Sequence, residues 1–380
     1  MIYFDNSATT KPDPNVLDSF IKVTQDFYGN PSSMHDLGKN AETLLRKARE
    51  QIANLLSVSN DEIIFTSGGT EGNNLAIKGI ALQHQARGKH IITTQVEHPS
   101  VLLACEALEE LGFQVTYLPV DNYGRISIEE LENSITNETI LVSVMYVNNE
   151  IGTIQPIEEI AAITNKYPKL FFHVDAVQAY GKIPINLNID GIDFSTLSGH
   201  KIHGLKGTGL LYIKNGTILF PLLHGGGQEM KVRSGTENVA GIVALAKAMR
   251  IQLDHLNEDQ KSLVEMKSEL LRAIEKIDGT VVNTPTENAA PHIINFSIPR
   301  LKPEVVIHAL EEHGIYISTK SACASKSPDK SSVLVACQKN DEVSRSGLRI
   351  SLAYSNTLEE IKYFNQKLAL VVNQLRKGIR

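Results

Sequence analysis

The sequence predicts an α/β protein, a mostly parallel sheet between helices followed by a smaller C-terminal α+β unit. Three observations carry this. From about residue 60 to 215 short apolar runs alternate with helix-like stretches, residues 239–277 form one long amphipathic segment, and the remainder returns to short runs and helices. Alternation of strand and helix patterns argues for parallel strands covered on both faces. Open sheets of this kind bind ligands at the carboxyl ends of their strands.

In chain order, 63–65 reads as a strand, 73–85 as a helix and 90–94 as a strand. Residues 99–111 are helical, with Pro99 where a first turn tolerates proline. Apolar runs follow at 114–118, 140–146, 170–174, 194–197 and 209–213, with helices over 128–135 and 157–165 among them. The amphipathic stretch is broken by polar residues near 257–260 and reads as a connector into the C-terminal unit. That unit holds runs at 293–298 and 348–353, a helix over 303–313 and a closing helix from Leu358. Between them, 321–332 is rich in Ser, Lys, Asp and Pro and reads as a mobile loop. The expected division is a segment 1–15 packing with the small domain, a large domain 16–255 and a small domain 256–380.

Composition narrows the function. Of 380 residues, 42% are hydrophobic and 21% charged, an ordinary balance for a soluble protein with a sizeable core. A net charge of -6 argues against direct nucleic-acid binding. The first residues lack a signal-peptide pattern, and no apolar run approaches the ~20 residues that cross a bilayer. Cys105, Cys323 and Cys337 are too few and too scattered for a disulfide framework or a zinc site. A reducing cytoplasm is the expected compartment.

Several motifs suggest chemistry. Thr66-Ser67-Gly68-Gly69-Thr70-Glu71 lies between a strand and a helix, where glycines and a helix N-terminus can cradle a phosphate. Taken alone such a glycine pair is more often a plain turn, and it lacks the nucleotide-triphosphate pattern. Asp175 closes an apolar strand, either as a helix N-cap or as a fixed anion beneath a protonated ring nitrogen. Lys201 ends another strand in Ser198-Gly199-His200-Lys201; a lysine is usually a solvated charge, but a desolvated one can form a Schiff base with an aldehyde. A zinc hydrolase built on His173, Asp175, His200 and His203 would leave Lys201, the glycine turn and Arg349 without roles.

Further motifs stand in fixed order along the chain. They are Tyr3-Phe4-Asp5-Asn6-Ser7-Ala8-Thr9-Thr10, Tyr28-Gly29-Asn30-Pro31-Ser32-Ser33, Val96-Glu97-His98 and Val147-Asn148-Asn149-Glu150-Ile151-Gly152. Arg233-Ser234-Gly235-Thr236-Glu237-Asn238, Ser321-Ala322-Cys323 and Leu348-Arg349-Ile350-Ser351 complete the set. With them, the chain resembles a fold-type I pyridoxal-phosphate (PLP) enzyme of the class V aminotransferase superfamily, and within it a cysteine desulfurase of the NifS/IscS type. The resemblance runs essentially end to end and implies a large PLP-binding domain with a seven-stranded-type sheet.

It also implies roles. Lys201 bears the cofactor and moves the proton, Asp175 pairs with the pyridinium nitrogen, and Gln178 and Asn149 lie near the phenolic oxygen. His98 stacks on the ring and serves as acid or base. Gly69, Thr70, Ser198 and His200 hold the phosphate, and Thr236 reaches the phosphate of a neighbouring subunit in a homodimer. Arg349 offers a fork for the substrate carboxylate, helped by Asn30. Cys323, with Lys320 and Lys326 nearby favouring thiolate, takes the sulfur of L-cysteine as a persulfide and leaves alanine. An acceptor protein then receives it, an iron-sulfur scaffold or a tRNA thiolation enzyme. Cys105 and Cys337 read instead as small core hydrophobes. The chain departs from its relatives at Met230-Lys231-Val232 and at Leu334-Val335-Ala336-Cys337-Gln338.

Overall fold

The computed structural model describes residues 1–189, 191–319 and 330–378. A two-residue strand β1 (Ile2–Tyr3) precedes helices α1 (Pro14–Asp26) and α2 (Asp36–Leu56). Strands and helices then alternate through β2 (Ile63–Thr66), α3 (Gly69–His84), β3 (His90–Thr94), α4 (Pro99–Glu109), β4 (Gln114–Leu118) and α5 (Ile128–Ser134). They continue as β5 (Thr139–Met145), α6 (Ile157–Thr164), β6 (Phe171–Asp175), β7 (Phe194–Ser198) and β8 (Gly209–Ile213). Helix α7 (Val239–Glu275) leads to β9 (Val281–Val282), β10 (Ile293–Ser297), α8 (Pro303–Glu311) and β11 (Ile315–Tyr316). The chain closes with α9 (Ser332–Ala336), α10 (Asp341–Arg345), β12 (Gly347–Ser351) and α11 (Leu358–Gly378).

The large sheet has the order β2-β8-β7-β6-β5-β3-β4. From β4 to β7 every pair is parallel, and β8 runs antiparallel to both its neighbours. Its central strands β5 and β7 are buried at every residue, as expected of strands covered on both faces. One apolar cluster, including Ile92, Val142, Phe172 and Met249, packs on one face of the sheet; another, including Ile77, Ile91, Cys105 and Phe194, packs on the other. A separate cluster joins Phe4, Phe296, Ile350 and Phe364 to Leu263 and Leu270 of α7 around the smaller sheet β12-β10-β9. Strand β1 pairs in parallel with β11, Ile2 opposite Ile315.

Two expectations need correction. The helix read as starting at Asn73 starts at Gly69, because Gly68 turns the chain (φ 147°) directly into the first helical turn. Helix α7 is not broken at 257–260. Residues 257–259 are exposed there, while Leu256 and Leu263 hold the buried stripe one heptad apart, and no proline or glycine interrupts it. Among the described residues no helix is long and apolar enough to cross a membrane.

Candidate active site

The carboxyl ends of β6 and β7 face the N-terminal turns of α3 and α4 across a cleft of about 430 Å³. Lys201, His98, Asp175, Gln178, Asn149, Gly69, Thr70, Ser198, His200 and Arg349 all line it.

Its floor is a hydrogen-bonded chain. Asp175 ends β6; its Oδ1 accepts from Val177 N at 3.0 Å and its Oδ2 from Asn73 Nδ2 at 2.7 Å. No helix follows it, so the carboxylate closes a local turn and faces the cleft rather than capping a helix. Asn73 Nδ2 also donates to Ser100 Oγ at 2.9 Å. His98 is the N-cap of α4: its Nδ1 accepts from Ser100 N at 3.1 Å and lies 2.8 Å from Ser100 Oγ. Burial holds His98 below the ordinary histidine range, against the opposing pull of Asp175. Beneath it Glu97 is fully buried, its Oε1 accepting from Thr94 Oγ1 (2.8 Å) and Met145 N (3.0 Å), and burial pushes this carboxyl up to about 8. Sequence reasoning missed Asn73, Ser100 and Glu97. Asn73 had a signal, since it stands four residues after Gly69, one helical turn along the same face.

Lys201 follows β7 in a short turn (Gly199–Lys201), and its Nζ donates to the carbonyls of Ser7 (2.5 Å) and Ala8 (2.8 Å). Gln178 Nε2 donates to the same Ser7 carbonyl at 3.0 Å, so the N-terminal segment forms part of the cleft. His200 Nδ1 lies 3.2 Å from Thr9 Oγ1, and burial, aided by the Lys201 charge, lowers its pKa to about 4.

The opposite end suits a phosphate. Helix α3 starts without a side-chain cap, leaving first-turn N–H groups for a ligand. Ser198 Oγ is buried with no partner among the described residues. A Cβ on Gly69 would stand 2.9 Å from Val177, so the cradle admits no larger residue there without displacement. An anion cradle at one end, a carboxylate at the other and an amine between them match a pyridine ring bearing a phosphate and an aldehyde.

Arg349 of β12 is only 1% exposed. Its terminal nitrogens donate to Asn149 O (2.8 Å) and Asp5 Oδ1 (2.9 Å), while Nε has no partner among the described residues. Of the five guanidinium N–H groups two are thus committed to the protein, and the remainder can address a carboxylate.

The family model described as aminotransferase class-V matches residues 2–364. The chain belongs to the aminotransferase class-V family. A NifS/IcsS protein homolog from Lactobacillus delbrueckii subsp. bulgaricus is 49% identical over 366 residues, 96% of this chain and 95% of its own. The cysteine desulfurase IscS of Dictyoglomus turgidum is 42% identical over 376 residues, 99% of this chain and 95% of its own. A solved NifS-like protein superposes with a TM-score of 0.93 at 40% identity, covering 98% of this chain and 99% of its own. The chain is therefore a PLP-dependent enzyme of the class-V family, with relatives of the NifS/IscS type.

Two expected residues of this class-V enzyme do not line the cleft, and a third lies outside the described residues. Thr236 lines an adjoining one of about 230 Å³, which shares Ser67 and Gly207 with the first. Asn30 is exposed and its Oδ1 accepts from Ser32 N at 2.9 Å. Cys323, with Lys320 and Lys326, lies outside the described residues. Cys105 and Cys337 are buried, and burial raises both thiols to about 12. His173 is held between Ser143 Oγ and Thr196 Oγ1 (2.9 Å each) and lowered by burial to about 3. No group of three or more His, Cys, Asp or Glu among the described residues could hold a metal ion. The departure at Met230 falls on three successive left-handed residues, Glu229, Met230 and Lys231. Glu229 pins that turn, accepting from Arg49 Nη2 at 2.6 Å and Phe65 N at 2.8 Å.

Proposed function

We propose that the chain converts L-cysteine to L-alanine and passes the sulfur, as a persulfide on Cys323, to an acceptor protein. The observation that carries this reading is the convergence in one cleft of an amine, a ring-nitrogen carboxylate, a phosphate cradle and a buried guanidinium. The acceptor is an iron-sulfur scaffold or a tRNA thiolation enzyme, and the working unit is a cytoplasmic homodimer in which Thr236 serves the neighbouring subunit's phosphate.

Arg349 binds the substrate carboxylate through its uncommitted N–H groups, while Asp5 and Asn149 O fix the plane of the fork. Lys201 Nζ takes the α-proton and returns one to the product. The Ser7 and Ala8 carbonyls hold that nitrogen at the cleft wall. Asp175 presents its carboxylate to the ring nitrogen, oriented by Asn73 and Val177 N. Ser198, Thr70 and the first N–H groups of α3 hold the phosphate. When bound, PLP supplies the electron sink that stabilises charge at the substrate's α-carbon. The thiolate of Cys323 attacks the substrate sulfur; an S–S bond forms, the C–S bond breaks, and the pair released to carbon is protonated to give alanine.

The test compares wild type with Cys323→Ala, supplied with L-cysteine and a thiol reductant, assaying sulfide and alanine. Matching sulfide and alanine from wild type, and neither from the variant with its cofactor absorbance intact, is expected. A variant as active as wild type removes Cys323 from the reaction. Incubation of sulfur-35-labelled enzyme with each acceptor class then identifies the recipient.

A further inference from the structure

We propose that His98 is locked as a neutral imidazole with its proton on Nε2, and that Asn73 and Ser100 are the positioning residues that lock it. His98 then acts at the cleft as a stacking ring and hydrogen-bond donor, and proton transfer falls to Lys201. This deepens the reading above but is tested without turnover.

The steps of the floor chain take one direction once the backbone N–H of Ser100 is counted. Asp175 Oδ2 belongs to a carboxylate that only accepts, so the Asn73 atom 2.7 Å from it is the amide nitrogen. The same nitrogen donates its second proton to Ser100 Oγ at 2.9 Å. The 2.8 Å contact between Ser100 Oγ and His98 Nδ1 has no direction of its own, because a hydroxyl can accept twice as well as donate; the backbone contact at the same nitrogen decides it. The backbone N–H of Ser100, which can only donate, reaches the same Nδ1 at 3.1 Å. Nδ1 is thus met by two donors and carries no proton of its own. A cationic ring would place a third N–H among them and break the α4 cap.

The ionisable groups facing His98 are Asp175 from β6, and Lys201 and His200 from the turn after β7; Glu97 precedes it in the chain. Asp175 favours a cation and Lys201 opposes one. Position 73 sets the polarity of the chain. An aspartate there would accept the Ser100 hydroxyl proton, leave Ser100 Oγ open to an Nδ1–H, and so permit the cation.

The experiment is ring 1H–15N correlation spectroscopy of the holoenzyme labelled with 15N-histidine, with His98 assigned by its loss in His98→Gln. Wild type is expected to show a pyridine-type Nδ1 and a protonated Nε2, unchanged from about pH 5.5 to about pH 8.5, a span that contains the ordinary histidine pKa. Asn73→Asp is expected to bring a His98 titration into that span. Ser100→Ala, which removes the hydroxyl donor and leaves only the backbone one, is expected to bring the same titration into the span; a Ser100→Ala spectrum that matches wild type overturns the part given to the Ser100 hydroxyl. A protonated Nδ1 in wild type, or a wild-type titration within the span, overturns the lock. An Asn73→Asp spectrum that matches wild type overturns the part given to Asn73. The wild-type readout stands whether or not the variants fold, and whether or not sulfide is produced.

Discussion

The floor of the cleft and its carboxylate-binding wall are built in opposite ways. On the floor, Asp175 and His98 are each fixed by a near neighbour, although Lys201 and Asn73 lean on distant residues. Asp175 is turned by Val177 N and His98 by Ser100 N, each two residues away. On the wall, Arg349 depends on Asp5 and Asn149, which are 344 and 200 residues distant in the chain. The floor is a property of one sheet edge, whereas the wall exists only when β12 and the N-terminal segment are both in place. The two meet in residues 5–8: Asp5 holds Arg349, while Ser7 and Ala8 hold Lys201 and Gln178. The proposed carboxylate fork and the cleft amine thus both lean on one short segment that carries none of the proposed reacting groups.

The largest effect should come from breaking the floor at its amine. Lys201→Ala is expected to lower kcat by about 10⁴-fold, the upper end of what loss of a proton-transfer group costs. Sulfide release from L-cysteine measures it. A loss below about tenfold, too small for a proton-transfer group, would place proton transfer elsewhere in the cleft.

Next comes the buried carboxyl under the floor. Burial raises Glu97 from an ordinary 4.5 to about 8, so between those values the native chain holds a proton that the unfolded chain does not. This group's stabilising contribution is complete below about pH 4.5 and is lost as pH rises through about 8. Glu97→Gln should resist denaturant better than wild type above pH 8, by a few kcal/mol at most, and the difference should shrink steadily towards pH 4.5. Urea titrations across that range decide it; parallel curves for the two proteins would refute a raised Glu97.

The same contrast explains what the sequence reveals. Strands such as His90–Thr94 and Gly209–Ile213 end where the apolar runs end, because burial on both faces writes itself into consecutive residues. Asp175 and Lys201 are suggested locally because each stands at the end of a strand, whereas the role of His98 comes only with the family resemblance. Asn73 and Glu97 are hard to read, since a buried polar residue reveals itself only through partners such as Asp175 and Met145, supplied by other elements. The run 257–260 misleads for the converse reason: the exposed residues 257–259 look like a break until the buried Leu256 and Leu263 on either side are traced. Motif order alone pointed to Arg349, because nothing local in Leu348-Arg349-Ile350 tells a buried fork from a surface charge.

The smallest effects should separate the two roles within the wall. Arg349→Lys keeps one charge but loses the planar fork, and it leaves Asn149 O or Asp5 without its donor. It is expected to raise KM for L-cysteine by about 10- to 100-fold, the range of one or two hydrogen bonds to a charged group. Floor spectra and cofactor absorbance should stay as in wild type. Asp5→Asn retains an acceptor for Arg349 and removes only the countercharge, so its KM should rise by less, about threefold to tenfold. If Asp5→Asn instead raised KM as much as Arg349→Lys while altering the cofactor absorbance, residues 5–8 would be acting on the floor. The separation between floor and wall would then fail at the one segment they share.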